Sequence, residues 1–403
     1  MTSELFVWIW LPGSTAPVVC GRLLQEGIRV RFVYGRSYRA RAEAIPLSPA
    51  GMDLGSGPIS ARREGQLPGP LADAAPDTWG RRVIEYRHAA GALGELDYLR
   101  LGRGDGIGAL HFQDQSENFV SASPAPATLS EMRRAADALE NNQPLSADLA
   151  AALEHGTSIG GARPKASLGD GQRALIAKFE SSTDRWAIVR SEWACLRLAA
   201  LCGITVPDAW LEPVDGRDVL VVERFDRVPS RGQRRHMLSA LSLLDLDDTE
   251  ARLASYPDLA ELLRRLAADG AADAAQLYRR MIFNILIGNT DDHARNHACF
   301  WDGRWLKLTP AYDLVPTLRV GEEARQAMEV GHDGRASTLV NALSMAGRFG
   351  LTGKAAGAIV DEVESAIRAR WEETFRGCGV PDPDIGKLRG RAVLSAAALR
   401  RRG

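Results

Sequence analysis

The chain has 403 residues, of which 45% are hydrophobic and 25% are charged, and its formal net charge is −1 at pH 7. This length allows two or three packed units, each with a sizeable hydrophobic core. The balanced charge argues against a general nucleic-acid or membrane binder, although it leaves room for a local basic patch.

The cysteine pattern and the hydropathy pattern both indicate a cytoplasmic protein. Five cysteines without a Cys-x-x-Cys pair are typical of reduced, buried thiols rather than of a zinc site or a disulfide framework. No stretch reaches the ~20 apolar residues that a membrane-spanning helix needs. The N-terminus lacks the charged-then-apolar pattern of a signal peptide.

Residues 1 to about 120 are predicted to be mostly β-structure. The run Phe6–Leu11 is continuously apolar, and Ile28–Phe32 alternates apolar residues with arginine, as a half-buried strand does. A helix is predicted around Trp79–Tyr86. The glycine-rich stretch Gly102–Leu110 lacks the preceding strand and following helix of a dinucleotide-binding loop, so we interpret it as a structural turn.

A second informative stretch, residues 156–180, combines glycines, basic residues and a predicted strand. Glycines let a backbone approach phosphate oxygens closely, and successive N–H groups form anion-binding nests. The segment that meets this description contains Ser158, Gly160, Gly161, Arg163 and Lys165.

The next strand predicts a second phosphate contact and an adenine hinge. Lys178 lies inside an apolar run, where a lysine is costly unless it pairs with an ATP phosphate or with Glu192 of the following helix, as in kinases. An edge-strand lysine that points to water is the alternative. The predicted strand Asp218–Arg227 ends in charged residues. Glu223 and Phe225 therefore lie at a strand end, where backbone groups commonly bind adenine. A core strand capped by charges is the alternative there.

The stretch MIFNILIGNTDDHARNHACFWDGRWLKLTPAYDLVP, residues 281–316, predicts a helix that ends at Gly288, a polar loop and a β-hairpin. Asp291 and Asn296 are five residues apart in the loop, and Asp313 follows the hairpin. Protein kinases use this order for a catalytic base, an Mg²⁺-binding Asn and an Mg²⁺-binding Asp. A solvated acidic loop is the alternative, and the choice of Asp291 over Asp292 as the base rests on the spacing.

Beyond residue 236 the chain is predicted to be mainly helical. The periodic apolar segments are Leu238–Leu246, Leu259–Ala268, Leu277–Ile287 and Ala355–Phe375. The basic tail Lys387–Arg402 is predicted to be a solvated helix face, with a nucleic-acid contact as the alternative.

Together these motifs resemble the HipA toxin-kinase family. They are LADAAPDTWGRR, GDGIGAL, SIGGARPKASL, LIAKF, SEWACLRLA, VVERFDR, GNTDDHARNH and PAYDL, in chain order. The resemblance implies an α+β, two-lobe protein-kinase-like fold, related to phosphoinositide kinases. It implies a β-rich N-terminal HipA subdomain at 1–125, an N-lobe-like region with phosphate loop and hinge at 126–230, and an all-helical C-terminal lobe with the catalytic loop at 231–403.

The resemblance also implies an ATP- and Mg²⁺-dependent serine/threonine protein kinase. In that case Asp291 is the catalytic base, and Asn296 and Asp313 hold Mg²⁺. His293 is grouped with the cofactor-binding residues, where it shapes the catalytic loop. The cofactor-binding residues implied in this way are Ser158, Gly160, Gly161, Lys165, Lys178, Glu223, Phe225 and His293.

Ser158 matches the serine that family members autophosphorylate. A phosphate there would add about −1.5 to −2 charge beside Arg163 and Lys165. The family implication is that this charge ejects the loop from the ATP site and switches the kinase off.

The implied partners are a helix-turn-helix antitoxin, similar to HipB, and a protein substrate, in the best-known case an aminoacyl-tRNA synthetase. DNA would be reached only through the antitoxin, and no membrane contact is implied. Two alternatives stay open. A small-molecule phosphotransferase uses a similar Asp–Asn–Asp arrangement, and a catalytically silent nucleotide-binding co-repressor would act with an antitoxin. The intact Asp291, Asn296, Asp313 and Lys178 count against the silent co-repressor.

Overall fold

The computed structural model describes residues 3–88, 93–102, 106–121, 126–156, 161–229, 231–318, 321 and 323–400. The chain divides into two compact units. Unit 1 comprises Met1–Thr183, Trp210–Leu238 and Phe300–Arg304, and unit 2 comprises Asp184–Ala209, Ser239–Cys299 and Trp305–Gly403. None of the helices in the described ranges is both long and apolar enough to cross a membrane.

Unit 1 begins with a five-stranded antiparallel sheet in the order β4-β3-β2-β1-β5. Its strands are β1 (Glu4–Ile9), β2 (Val18–Glu26), β3 (Arg29–Tyr34), β4 (Ile59–Ser60) and β5 (Leu110–Gln113). The helices of this region are α1 (Arg36–Arg39), α2 (Gly69–Asp73), α3 (Thr78–His88) and α4 (Glu95–Leu101). The predicted strands and α3 are confirmed, but the prediction that the region is mostly β-structure is wrong, because its helices contain as many residues as its strands. Sequence patterns missed α1, α2 and α4 because helices this short show little periodicity.

A second sheet in unit 1 carries both predicted phosphate-binding lysines. Its strands, in the order β6-β7-β9-β8, are β6 (Lys165–Gly169), β7 (Ala174–Lys178), β8 (Ala209–Val214) and β9 (Arg217–Glu223). One face packs on α3, α5 (Leu129–Glu140) and α6 (Ala147–Ala152) through a core that includes Leu139, Leu153, Leu175, Ala177 and Val221. Because side chains alternate along a strand, Lys165 and Lys178 project from the opposite face.

Unit 2 is built around α10 (Gly270–Ile287), whose C-terminal half is buried on all sides. Helices α9 (Tyr256–Leu266) and α12 (Gly353–Gly377) pack against it, and α7 (Ile188–Leu201) packs against α12. The other short elements of unit 2 are α8 (Ala240–Leu243), β14 (Leu306–Leu308), α11 (Leu339–Ser344) and α13 (Asp382–Leu388). The short strands β10 (Arg227–Val228) and β11 (Gln233–Arg234) belong to unit 1, and the residues of β12 (Met237–Ser239) and β13 (Ala298–Trp301) are divided between the two units. The hairpin of β13 and β14 was predicted. The helix predicted over Leu238–Leu246 is wrong, because the chain forms β12 and a single turn, α8, there.

The described part of the basic C-terminal tail, residues 387–400, is packed, so the prediction of a solvated helix face for Lys387–Arg402 is wrong over that part. The segment after α13 buries Ala392, and the N–H of Leu394 donates to the carbonyl of Leu286 at 2.8 Å. Gly288 caps α10 with φ 72°, and a Cβ there would lie 2.6 Å from the carbonyl oxygen of Ala392. Only glycine suits this left-handed cap beneath the tail. In the sequence of the tail, small apolar residues are interspersed with arginines, so no apolar pattern predicts which positions are buried.

A buried charge network joins the end of β9 to the glycine-rich turn before β5. Asp226 accepts hydrogen bonds from the N–H of Gly108 at 2.7 Å and from two nitrogens of Arg224 at 3.0 and 2.8 Å. Arg224 and Arg227 both donate to the carbonyl of Gly106. Burial alone would raise the pKa of Asp226, but the two guanidinium groups outweigh it and lower the pKa to about 2. The described part of the glycine-rich stretch is therefore a structural turn, as predicted, and its backbone is bonded to the end of β9.

Replacing Asp226 with Asn is expected to lower the free energy of unfolding by about 3–5 kcal/mol, because two buried guanidinium groups lose their counter-charge. The folded pKa of about 2 lies below the unfolded value of about 3.9. The carboxylate therefore stabilises the fold above about pH 4, and this contribution is lost as the pH falls towards 2. Urea unfolding at neutral and acid pH measures both effects. Asp382→Ala, which removes an exposed partner of Arg376, is the control and should change stability little. Equal losses in the two variants would contradict the network.

Candidate functional site

The predicted catalytic loop lies in unit 2, directly after α10. The N–H of Asn289 turns back to the carbonyl of Asn284 at 2.9 Å, and Thr317 donates to the carbonyl of Gly288 at 3.0 Å. The side-chain amide of Asn289 donates to Asn284 Oδ1 at 3.2 Å and to the backbone carbonyl of Asp313 at 3.4 Å. The end of α10 is thus tied to the segment that carries Asp313.

The two adjacent aspartates of the loop have opposite surroundings. Asp291 is exposed, whereas Asp292 is 1% exposed. Asp292 Oδ1 lies 2.9 Å from Nε2 of His297, which is 2% exposed. This contact joins the two ends of the loop. Since a general base must be within reach of the substrate proton, the geometry favours Asp291 as the base and gives Asp292 a structural role.

Asn296 and His293 complete a short 3₁₀ turn, Ala294–Asn296. The N–H of Asn296 donates to the carbonyl of His293 at 2.8 Å, and the N–H of His293 donates to the carbonyl of Asp291 at 3.0 Å. Asn296 Nδ2 donates to the same Asp291 carbonyl at 3.0 Å. The nitrogen of this amide is therefore used within the loop, which leaves its oxygen as the group to face a ligand.

Asp313 has a φ of 55°, a conformation that few non-glycine residues adopt and that often marks functional sites. The hydroxyl of Tyr312 donates to the carbonyl of Arg295 at 2.7 Å, and Arg295 pairs with Asp248. The segment that carries Asp313 therefore lies beside the loop that carries Asn296. Their side-chain oxygens are hard donors of the kind that Mg²⁺ prefers.

A metal ion here would need further ligands from its substrate. Within the described ranges no three His, Cys, Asp or Glu side chains are grouped as a metal site. Mg²⁺ commonly keeps several waters and binds through one or two protein side chains plus substrate phosphates. The donor pair Asn296 and Asp313 fits an ion that is held in this way.

The predicted phosphate-binding residues lie in unit 1. Lys165 and Lys178 are direct cross-strand partners in β6 and β7 and therefore share one sheet face. Lys165 is 6% exposed, and its Nζ lies over Gly161, where a Cβ would be 2.2 Å away. Two positively charged side chains on one sheet face form a local cationic surface, the kind of surface that suits a phosphate group. Ser158 and Gly160 lie outside the described residues.

The predicted hinge residues lie where β9 ends. Glu223 is half-buried, and one of its carboxylate oxygens is 3.8 Å from Arg173 Nη1. The ring of Phe225 packs edge-on against Phe300 with centroids 6.0 Å apart. Glu192 is buried on α7 in unit 2, and its pairing with the lysine of β7 stays a prediction.

Sequence reasoning missed His297, Asn284 and Asn289. Each has a side chain that orders the catalytic loop or the end of α10. The available signals were a polar residue, Asn284, inside an otherwise apolar helix and a histidine, His297, directly after the asparagine that is predicted to bind Mg²⁺. Neither signal reveals burial, which is the property that distinguishes these side chains from solvated ones.

Two family models match the chain. Residues 10–113 match the HipA N-terminal domain, and residues 157–371 match the HipA-like C-terminal domain. The protein named "Putative kinase Y4mE" of Sinorhizobium fredii is 30% identical over 338 residues, which cover 75% of this chain and 76% of that protein. The "Serine/threonine-protein kinase toxin HipA" of Shewanella oneidensis is 27% identical over 187 residues, which cover 39% of this chain and 42% of that protein.

A solved structure of the Shewanella oneidensis MR-1 toxin–antitoxin system, a complex of HipA, HipB and operator DNA, is also similar. Its matching chain has a TM-score of 0.71 and 17% sequence identity, with 95% of this chain and 94% of that chain covered. At this identity the similarity concerns the fold. The α+β, two-lobe kinase-like fold class predicted from the sequence is confirmed.

The contrast between the two loop aspartates predicts different stability effects. Asp292→Ala should lower the free energy of unfolding by about 1–3 kcal/mol, because a buried nitrogen of His297 loses its partner. Asp291→Ala, at the exposed neighbouring position, is the matched control and should stay within about 0.5 kcal/mol of the wild type. Urea unfolding followed by circular dichroism measures both. If Asp291→Ala proved the more damaging change, the assignment of the buried aspartate would be wrong.

Proposed function

Because the chain belongs to the HipA family, we propose that it is an ATP- and Mg²⁺-dependent serine/threonine protein kinase and the toxin of a type II toxin–antitoxin pair. The observation that best supports this proposal is the division of roles in the loop after α10. Asp291 is exposed, while Asp292 is buried against His297 and orders the loop. Phosphoryl transfer depends mainly on positioning and charge stabilisation, and this loop is suited to both.

In the proposed reaction Asp291 accepts the proton of a serine or threonine hydroxyl. The hydroxyl oxygen bonds to the γ-phosphorus of ATP as the bond to the bridging oxygen breaks, and ADP leaves. Asn296 and Asp313 would hold Mg²⁺, which when bound neutralises phosphate charge. The hydrogen bond from Asn296 Nδ2 to the carbonyl of Asp291 keeps base and metal ligand in one turn. The exposure of Asp291 suits a protein substrate that approaches from solvent.

The two lysines of β6 and β7 are proposed to bind the ATP phosphates. Lys165 and Lys178 share one sheet face, so both ammonium groups can approach the same polyphosphate. Gly161 lies beside the ammonium group of Lys165 and leaves space that a side chain would fill. Glu223 and Phe225, at the end of β9, are proposed to lie at the adenine ring.

Autophosphorylation of Ser158 is proposed as the off-switch. Ser158 lies between Gly156 and Gly161 in the sequence, close to Arg163 and Lys165. A phosphate there would place about −1.5 to −2 charge beside these cations and compete with ATP for them.

The proposed partners follow from the family. The Shewanella oneidensis structure contains HipA with HipB and operator DNA. By analogy we propose a helix-turn-helix antitoxin for this chain, with DNA contacted only through it, and a cytoplasmic site of action. The substrate is proposed to be a serine or threonine of a translation-related protein, with an aminoacyl-tRNA synthetase as the first candidate.

Incubation of the purified protein with Mg²⁺ and γ-labelled ATP should attach phosphate to the protein, and mass spectrometry should locate it on Ser158. Asp313→Ala should reduce labelling by about 10²-fold or more, because a proposed Mg²⁺ ligand is lost. Asp382→Ala, which removes an exposed carboxylate on α13, is the matched control and should label like the wild type.

The alternatives predict other outcomes of the same experiment. A small-molecule phosphotransferase would phosphorylate a metabolite and leave the protein unlabelled. A silent co-repressor would bind ATP without consuming it. A protein that binds no ATP at all would contradict the proposal.

A further inference from the structure

The N-terminus of α3 makes two hydrogen bonds with Gly161, which belongs to the proposed phosphate-binding segment. The N–H of Gly161 donates to Asp77 Oδ2 at 2.7 Å, and the N–H of Trp79 donates to the carbonyl of Gly161 at 3.2 Å. Both backbone polar groups of Gly161 are therefore satisfied by residues that are far away in the sequence. This matters because Gly161 has a φ of 99°, which only glycine adopts readily.

The indole of Trp79 holds the other end of the same segment. Trp79 is 2% exposed, and its Nε1 donates to the carbonyl of Lys165 at 3.0 Å. A Cβ on Gly156 would lie 2.9 Å from that nitrogen and 2.9 Å from the carbonyl oxygen of Lys165. The backbone at Gly156 and Lys165 is therefore packed tightly around the indole N–H. Lys165 is also the residue whose ammonium group lies over Gly161.

The α3 terminus is itself a fixed support. Asp77 Oδ1 accepts a hydrogen bond from the N–H of Thr78, the first residue of α3, at 2.7 Å. Arg81 donates to the carbonyl of Pro76 and forms a two-bond contact with Glu95 at 2.7 Å. The ring of Trp79 belongs to the core beneath β6 and β7. Because the N-terminus of α3 is itself held by these contacts, it can fix the position of the segment that contains Gly161 and Lys165.

We propose that Asp77 and Trp79 are positioning residues for nucleotide binding, which fix Gly161 and Lys165 in the geometry that receives the phosphates. This inference rests on the proposed ATP-binding function. Asp77 and Trp79 lie in the part matched by the HipA N-terminal domain, whereas Gly161 and Lys165 lie in the part matched by the C-terminal domain. The N-terminal domain thereby contributes to the phosphate half of the nucleotide site.

A positioning role of this kind affects phosphates and adenosine differently. The end of β9, where adenine is proposed to bind, is fixed by the separate contacts of Asp226 with Arg224 and Gly108. Loss of Asp77 or Trp79 contacts should therefore weaken binding of the phosphates and leave binding of the nucleoside unchanged. A general loss of structure would weaken both.

The test is calorimetric measurement of the dissociation constants of Mg-ATP and of adenosine for the full chain. Asp77→Ala and Trp79→Phe should each weaken Mg-ATP binding about five- to tenfold, the effect of one or two lost hydrogen bonds, with adenosine unchanged. Asp77→Asn, which retains an acceptor oxygen for Gly161, should recover part of the loss.

Two variants of unit 1 serve as matched controls. Thr128→Ala removes the hydroxyl that caps α5 by accepting from the N–H of Glu131 at 3.2 Å. Trp8→Phe removes an indole N–H that donates to the carbonyl of Gln115 at 3.2 Å. Both should bind Mg-ATP like the wild type.

Unchanged Mg-ATP binding in Asp77→Ala and Trp79→Phe would overturn the inference, as would a parallel loss of adenosine binding. In either case wild-type binding of Mg-ATP would leave the proposed function standing. A wild-type protein that binds neither ligand would instead contradict the proposed function itself.

Discussion

The candidate active site depends on one buried contact, between the carboxylate of Asp292 and the imidazole of His297, 2.9 Å apart. A short loop between a helix and a hairpin has few backbone partners, so a buried polar pair at its ends can hold it in one conformation. With these ends joined, Asn296 is confined to a single 3₁₀ turn. Asp291, next to the pair, is then exposed at a defined position. The chemistry proposed for Asp291 therefore rests on its buried neighbour.

In unit 1, two carboxylates in a similar way hold segments that contain a glycine and belong to no strand. Asp77 accepts from the N–H of Gly161, and Asp226 accepts from the N–H of Gly108. Both glycines have positive φ, at 99° and 77°. Glycine lets the backbone take this conformation, and the carboxylate satisfies the N–H that regular structure would otherwise pair. Short segments at the proposed phosphate and hinge regions are held in this way.

The stretch 281–316 could be predicted because its signals are local. The periodicity of α10, the glycine at its end and the Asp-Gly turn of the hairpin all lie close to the residues that they position. The contact of Asp77 with Gly161 spans 84 residues, and the tail packs on the end of α10 from beyond α13. No periodicity or spacing encodes such contacts, so sequence patterns missed them. The roles of Asp291, Asn296 and Asp313 stay predictions, now with a geometry that favours them.

The most direct test of this account compares phosphate transfer from Mg-ATP by Asp291→Asn and Asp292→Asn at equal concentrations of folded protein. Each variant replaces one of two adjacent carboxylates with an amide of the same shape, so the pair separates chemistry from loop structure. The account predicts that Asp291→Asn folds like the wild type and loses transfer by about 10²-fold or more. It predicts that Asp292→Asn, whose amide oxygen can still accept a hydrogen bond from His297, is less stable but keeps the loop ordered and transfers phosphate once folded. Transfer at the wild-type rate by Asp291→Asn would contradict it.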